Sequence, residues 1–287
     1  MKTLLITGIN GFLGSRLATL LSKEFTIIGL SRTRDKLFRL KNQNFKVYAS
    51  DTDALFDIFK ENKIDIIIHT ATVYGRENKD IHHIIRSNLL LPVQLYELAE
   101  SFNIPLFINT DSFFSKNSST HLGNYVLSKR QVLEWLMQIQ GKCKIVNMII
   151  YHQYGPMDSP DKFVTWILNL LKEHKSVIDL TKGTQQRDFI YIDDVVDAYK
   201  CVCYNYDQLL SFSEFHVGSG ISVSIKEFVE QLKFQIKSPS FLNWGILPYQ
   251  DNEIMFSVAD NQSLKKLGWL PRYSTKEGIE QLIRFEQ

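Results

Sequence analysis

An α/β fold, with a doubly wound parallel sheet and a smaller C-terminal substrate-binding lobe, is the class this sequence predicts on three observations. Short apolar runs alternate with longer amphipathic stretches through the first half, the pattern of strand-helix-strand units feeding a parallel sheet. The first run ends in a glycine-spaced turn, Gly8-Ile9-Asn10-Gly11-Phe12-Leu13-Gly14, that opens a helix. After Gly155-Pro156 the rhythm changes. Residues 1–155 are therefore expected to form a nucleotide-binding domain and 156–287 mainly a second lobe, with a segment near 187–206 returning to the first.

The first strand spans 3–7, and Gly8, Asn10, Gly11, Phe12, Leu13 and Gly14 make the turn into a helix over 12–23. Glycine lets the backbone approach a pyrophosphate, whose charge then sits on free N–H groups at the positive helix end. Dinucleotide binding is the expectation. The second strand, 26–30, stops at Ser31-Arg32, where an NAD site usually carries an acid for the ribose 2′-hydroxyl. A cation there, with Arg34 and the Ser31 hydroxyl beside it, suits the 2′-phosphate of NADP(H); the bland alternative is a solvated arginine. Strand 46–49 leads to Asp51, which either accepts from the adenine amino group or caps the helix over 54–61. Strand 65–69 ends in His69-Thr70-Ala71, with backbone expected beside the cofactor and His69 either a contact or a packed histidine.

A helix over 85–102 precedes strand 106–109, and Thr110 stands at its carboxyl edge, where ligands of open sheets bind. Its hydroxyl can polarise a substrate carbonyl or simply start a turn. On the helix over 125–140, Tyr125 and Lys129 are four apart and share a face. The Lys129 ammonium is expected to stabilise the phenolate and lower the Tyr125 pKa from its usual value of about 10. Strand 144–150 completes this half. Beyond it are expected a helix over 162–174, a strand over 187–192, a helix from Asp194, and a terminal helix packing Ile279, Leu282, Ile283 and Phe285.

The balance of 33 basic against 31 acidic residues supplies no sustained field for nucleic acid or an anionic membrane. The opening apolar run is too short for a signal-peptide core or a span, so a cytoplasmic protein is expected. Cys143, Cys201 and Cys203 lack zinc or thioredoxin-like spacing; buried thiols and no metal are expected.

The glycine turn, Thr110 and the Tyr125/Lys129 pair together resemble the extended short-chain dehydrogenase/reductase family of nucleotide-sugar enzymes, over nearly the whole chain. The resemblance implies a Rossmann-like domain, a nucleotide-sugar substrate, and Thr110, Tyr125 and Lys129 as the catalytic group, the last two also beside the nicotinamide ribose. It implies that Arg187, in Gln186-Arg187-Asp188-Phe189-Ile190-Tyr191-Ile192-Asp193-Asp194, approaches the substrate diphosphate; a structural ion pair with a carboxylate such as Asp188 is the other reading. Asp111, Ser112, His152 and Lys162 are the further expected substrate contacts. A homodimer through residues 89–98 and 125–137 is an option, since the same apolar positions could instead cover the sheet.

Family dehydratases resemble Thr-Asp-Glu where this chain has Thr110-Asp111-Ser112, so the second carboxyl that assists loss of water is missing. Epimerases hold NAD tightly, whereas Ser31-Arg32 points to an exchanged NADP(H), and net reduction fits better. More narrowly, residues 109–114, 186–189 and 251–259 resemble bacterial reductases of CDP-4-dehydro-3,6-dideoxyglucose in surface-polysaccharide synthesis, the abequose-forming branch more fully than the paratose-forming one. By that resemblance the pro-S hydride of NADPH reaches sugar C4, Tyr125 gives the proton, Thr110 orients the oxygen and Lys129 tunes Tyr125. Two departures stand against a full transfer. The family segment Arg-x-x-Asn-x-Tyr-Gly-Pro reads Ile149-Ile150-Tyr151-His152-Gln153-Tyr154-Gly155-Pro156, and the loop between Thr110 and Tyr125 is short. They keep a dTDP-linked 4-keto-6-deoxyhexose reductase, giving a fucose- or talose-type sugar, open as a rival. A non-catalytic NADP(H)-binding sensor or scaffold is the alternative of another class.

Overall fold

A computed structural model describes residues 1–35, 37–41, 43–75, 81–116 and 123–285. The short loop ahead of Tyr125 lies partly in 117–122, and the tail ends at 286–287, both outside the described residues. The first half runs β1 (Thr3–Thr7), α1 (Phe12–Leu21), β2 (Thr26–Ser31), β3 (Lys46–Ala49), α2 (Leu55–Glu61) and β4 (Ile66–His69). It continues with α3 (Ile81–Ile85), a π-turn (Arg86–Leu90), α4 (Leu91–Ser101), β5 (Leu106–Ser112), α5 (Gly123–Gln138) and β6 (Lys144–Ile150). The second half runs β7 (His152–Tyr154), α6 (Phe163–Lys172), β8 (Val177–Leu180), β9 (Gln186–Arg187), β10 (Phe189–Tyr191) and α7 (Ile192–Asn205). It ends with β11 (Phe212–Val217), β12 (Val223–Ser224), α8 (Ile225–Ile236), β13 (Phe241–Trp244), β14 (Phe256–Ser257), α9 (Gln262–Lys266) and α10 (Thr275–Phe285).

Seven strands form one sheet in the order β11-β6-β5-β4-β1-β2-β3, parallel at every step from β6 to β3. This is the Rossmann-like, doubly wound sheet that the sequence predicts. β1 and β4 are buried almost throughout, which is why they read as unbroken apolar runs instead of alternating ones. On one face Leu5, Ile67, Phe107 and Ile145 pack with Leu95, Tyr96, Val132 and Leu136 of the covering helices. Strand order reverses between β1 and β4, so the residues that follow these two strands meet at the switch point where ligands of open sheets bind.

Two departures in this half matter for the site. β5 runs three residues past its predicted end, because Thr110, Asp111 and Ser112 pair with Met148, Ile149 and Ile150. The helix predicted over 85–102 begins at Ile81 and carries the π-turn, which turns Asn88 inward to 1% exposure.

The chain divides into two compact units, Met1–Ile150 with Val196–Phe215, and Tyr151–Val195 with His216–Gln287. The division thus falls before residue 155, and the returning segment starts later than 187. The reason is local pairing. β9 pairs with β12 and β14, and β10 with β7, all within the second unit. The strand predicted over 187–192 is these two short strands, with Asp188 between them. Within the same unit Phe189 stacks on Phe228 of α8 with centroids 4.0 Å apart, and Ser224 and Glu227 close a capping box at the α8 start. α10 buries Ile279 and Leu282, but Phe285 is 54% exposed. Cys143 and Cys203 are buried, whereas Cys201 is only half-buried.

Candidate active site

β1 delivers the chain into Gly8, whose φ of +66° is open to glycine at little cost. Its N–H donates to the Leu30 carbonyl at 2.8 Å, and its own carbonyl accepts from Gly11 N at 2.7 Å, which closes the turn. A Cβ on Gly8 would stand 2.8 Å from the Ala71 backbone, and one on Gly14 would run into the Gly8 carbonyl oxygen. The three glycines are therefore a steric requirement of this turn and of its contact with the β4 end. No side chain caps α1 at Gly11, so the N–H groups of its first turn, at Phe12, Leu13 and Gly14, remain for an anion. Asn10 turns the other way, its Oδ1 accepting from Arg39 N at 3.2 Å. This cradle fits the pyrophosphate of a dinucleotide.

Arg32 is exposed at the β2 end, and no hydrogen bond or ion pair holds its guanidinium among the described residues. Arg34, expected to assist it, is instead gripped by Asp53 at 2.7 Å to each carboxylate oxygen. Asp53 also accepts from Ala49 N at 2.7 Å. Asp51 does not cap α2, since the capping position is Ala54 and no side chain bonds there; Asp51 stays exposed beside the β3 end. Ser31 is half-buried.

His69 is a packed histidine. It is 1% exposed and its Nδ1 lies 2.9 Å from Thr7 Oγ1, the residue it faces across the β1–β4 register. Burial, and then the charge of Lys129, hold its pKa down to about 3, so the imidazole is neutral. What this segment offers a ligand is the backbone of Thr70 and Ala71.

α5 projects Tyr125 and Lys129 from adjacent turns, 4% and 3% exposed. The Lys129 ammonium donates to the Thr110 carbonyl at 2.7 Å and stands 5.9 Å from the Tyr125 ring centroid. Burial brings the Lys129 pKa down to about 8, with the Asp111 carboxylate pulling it back up. Burial raises Tyr125 well above its ordinary value, and its hydrogen bond with Ser112 offsets this only in part. The expected lowering of Tyr125 by Lys129 is thus overturned in this structure, because desolvation dominates and the ammonium is spent on a backbone carbonyl.

Strand alternation distributes the remaining polar groups. Asp111, which follows Phe107 and Asn109 on the same side of β5, is 3% exposed and accepts from Ser112 N at 2.7 Å and Asn147 Nδ2 at 3.1 Å. Its charge raises the pKa of Lys129. Thr110 and Ser112 share the other side. Thr110 Oγ1 lies 2.7 Å from the Tyr199 hydroxyl of α7. Sequence reasoning missed Tyr199, which lies 89 residues away. It also missed Asn88, whose amide bonds both the N–H and the carbonyl of Val73, at 2.7 and 2.8 Å, and the Ser128 hydroxyl at 3.0 Å. A polar amide inside an apolar run was the available signal. Through it the segment carrying Tyr74 is tied to the Tyr125 turn, and the two tyrosine rings lie 4.9 Å apart.

In the second unit Arg187 is 7% exposed and pairs with Glu253, Nη2 to Oε1 at 2.5 Å. Its sequence neighbour Asp188 is committed elsewhere, to Ser219 N at 2.7 Å, Gly220 N at 2.9 Å and Ala259 N at 3.0 Å; the carboxylate that pairs with Arg187 in this structure is that of Glu253. His152 Nε2 lies 3.0 Å from Ser257 Oγ, and burial takes its pKa to about 3. Lys162 is half-buried at the residue preceding α6.

Residues 4–218 match the NAD dependent epimerase/dehydratase family. The CDP-abequose synthase of Salmonella typhimurium is 35% identical over 98% of this chain and 97% of its own length. That of Salmonella muenchen is 32% identical over 100% and 98%. Among solved structures, UDP-glucose 4-epimerase of Thermotoga maritima superposes with a TM-score of 0.85 at 20% identity, covering 99% of this chain and 98% of that one, which is a likeness of fold.

Proposed function

Because the chain belongs to the NAD dependent epimerase/dehydratase family, we propose that it is an NADPH-dependent reductase of a nucleotide-activated 4-ketosugar. Its substrate on this reading is CDP-4-dehydro-3,6-dideoxyglucose and its product CDP-abequose, for bacterial O-antigen. The observation that carries the reading is the 35% identity to a CDP-abequose synthase over 98% of the chain. The Tyr125/Lys129 turn against Thr110 supports it from the structure. NADPH, when bound, supplies the hydride. Tyr125, kept protonated by burial, supplies the proton to the oxygen as the alcohol forms. Lys129 holds the β5 end and brings a positive charge to that proton donor, and Arg187 takes the substrate diphosphate in exchange for Glu253.

NADPH is preferred over NADH on this reading because Arg32 is an exposed guanidinium at the β2 end with no partner among the described residues. Arg32→Ala is expected to narrow the NADPH:NADH ratio of kcat/KM by roughly tenfold or more, the scale of a charge-assisted hydrogen bond; an unchanged ratio rejects the assignment. A reductase that draws on NADPH and a nucleotide sugar works in the cytoplasm. Leu127, Trp135 and Met137 of α5 are exposed and support a homodimer, which light scattering would measure.

The test is NADPH consumption, followed by absorbance, with CDP-4-dehydro-3,6-dideoxyglucose and dTDP-4-dehydro-6-deoxyglucose in parallel. Consumption with the CDP sugar is expected. Turnover with the dTDP sugar alone moves the reading to a dTDP-linked reductase, and NADPH binding without turnover on either favours a sensor or scaffold.

A further inference from the structure

The Tyr199 side chain sits in the returning segment of the first unit, on α7, and is fully buried. Its hydroxyl has one hydrogen-bond partner among the described residues, Thr110 Oγ1 at 2.7 Å. A hydroxyl pair of this kind leaves open which oxygen donates. Burial decides it. A phenolic O–H removed from water must donate to something, and leaving it unmet costs the desolvation of the group with nothing in return. Thr110 Oγ1 is the acceptor within reach, and burial keeps the phenol protonated. Tyr199 therefore donates, and Thr110 accepts on a lone pair while its own hydrogen stays free.

Thr110 is held at its other end as well, since its carbonyl accepts from Lys129 Nζ at 2.7 Å. The neighbouring hydroxyl on the same side of β5, that of Ser112, accepts from Phe114 N at 3.3 Å. With Tyr199 donating to its lone pair, the Thr110 hydroxyl has a hydrogen left to give, and it is half-buried instead of sealed.

We propose that Tyr199 is a positioning residue that fixes the Thr110 hydroxyl as a hydrogen-bond donor to the substrate carbonyl oxygen. This rests on the reductase reading above. The donated bond from Tyr199 also polarises the Thr110 hydroxyl, as successive hydrogen bonds in a chain strengthen one another. No proton moves through Tyr199. It sets direction and strength, and the effect belongs to the rate of reduction more than to substrate binding.

The experiment is a double-mutant cycle in steady-state reduction of CDP-4-dehydro-3,6-dideoxyglucose by NADPH, with NADPH affinity read separately by fluorescence. Thr110→Val is expected to lower kcat roughly a hundredfold, the scale of a lost oxyanion donor. Tyr199→Phe, which removes one oxygen, is expected to lower kcat about tenfold, with KM and NADPH affinity within about twofold of the parent. In the Thr110→Val background Tyr199→Phe is expected to do nothing more, and in the Thr110→Ser background, where the hydroxyl remains, to cost its tenfold again. Losses that multiply in the Thr110→Val background, or an unchanged kcat in Tyr199→Phe, would overturn the proposal. Full turnover by Thr110→Val would overturn it while leaving the reductase reading intact, and a parent protein that reduces no 4-ketosugar would remove both.

Discussion

Burial acts in opposite directions on the two titrating groups of the proposed site, raising Tyr125 and bringing Lys129 down to about 8. The proton donor is therefore in its acid form throughout the neutral range, and the group that loses its charge first as pH rises is the lysine. Reduction is expected to fall as pH climbs through about 8. The Asp111 carboxylate pulls Lys129 upward, so Asp111→Asn moves that basic limb of kcat/KM to lower pH; a limb unmoved, or moved up, contradicts the assignment. Tyr125→Phe is expected to keep NADPH affinity and lose reduction by a factor of at least 10², and retained turnover refutes its role. At this scale the site was legible where spacing carries the information. Tyr125 and Lys129 declare themselves by a four-residue step on one helix face. The partner of Thr110 did not, since Tyr199 reaches it from a helix far along the chain, and no local pattern encodes a contact between remote side chains. Arg34 shows the converse, a cation that spacing placed near a phosphate and that Asp53 captured first.

The turn between β1 and α1 leaves no room for a side chain at Gly8 or Gly14. Gly14→Ala would drive a methyl into the Gly8 carbonyl, and since that carbonyl closes the turn on Gly11 N, the cradle must open. Weaker NADPH binding, by about tenfold or more, is the expected result by titration, with a fall in Tm from overpacking. Wild-type affinity would show that the turn does not hold the cofactor. The π-turn before α4 makes a second case. Asn88→Leu removes four hydrogen bonds that join the Thr72–Val73 segment to α5 and strands the Val73 backbone groups, a cost of about 1–3 kcal/mol for each buried group left unmet, readable by chemical denaturation. Element existence was legible from apolar runs because both faces of the central strands are covered. Element ends were not. β5 continues through three polar residues because β6 runs alongside to pair them, and the π-turn depends on an inward amide whose partners lie in two other segments.

Each of the two units buries a neutral histidine, His69 in the first and His152 in the second, both brought to about 3 by desolvation. Unfolded imidazoles take up protons near 6.5, so the stabilisation is complete above that pH and is lost as pH falls toward about 3, by about 1.4 kcal/mol per pH unit for each histidine. Urea unfolding is expected to show a loss of ~3 kcal/mol between about pH 6.5 and pH 5, halved by His69→Gln; a flat profile contradicts burial of the two imidazoles. The broad layout of a Rossmann-like half followed by a different second half was visible in the rhythm of the chain. The second unit's short strands were less visible, because two- and three-residue strands such as β9 and β10 are set by pairing with β7, β12 and β14 and carry too few residues for a period.

Family membership leaves epimerisation, dehydration and reduction as chemistries on one fold, and product analysis separates them. One equivalent of NADPH is mixed with CDP-4-dehydro-3,6-dideoxyglucose and the sugar is read by NMR. A single CDP-3,6-dideoxyhexose with an axial C4 hydroxyl, formed one for one with NADP⁺, is expected. A sugar that exchanges or loses water while NADPH is left intact would contradict it.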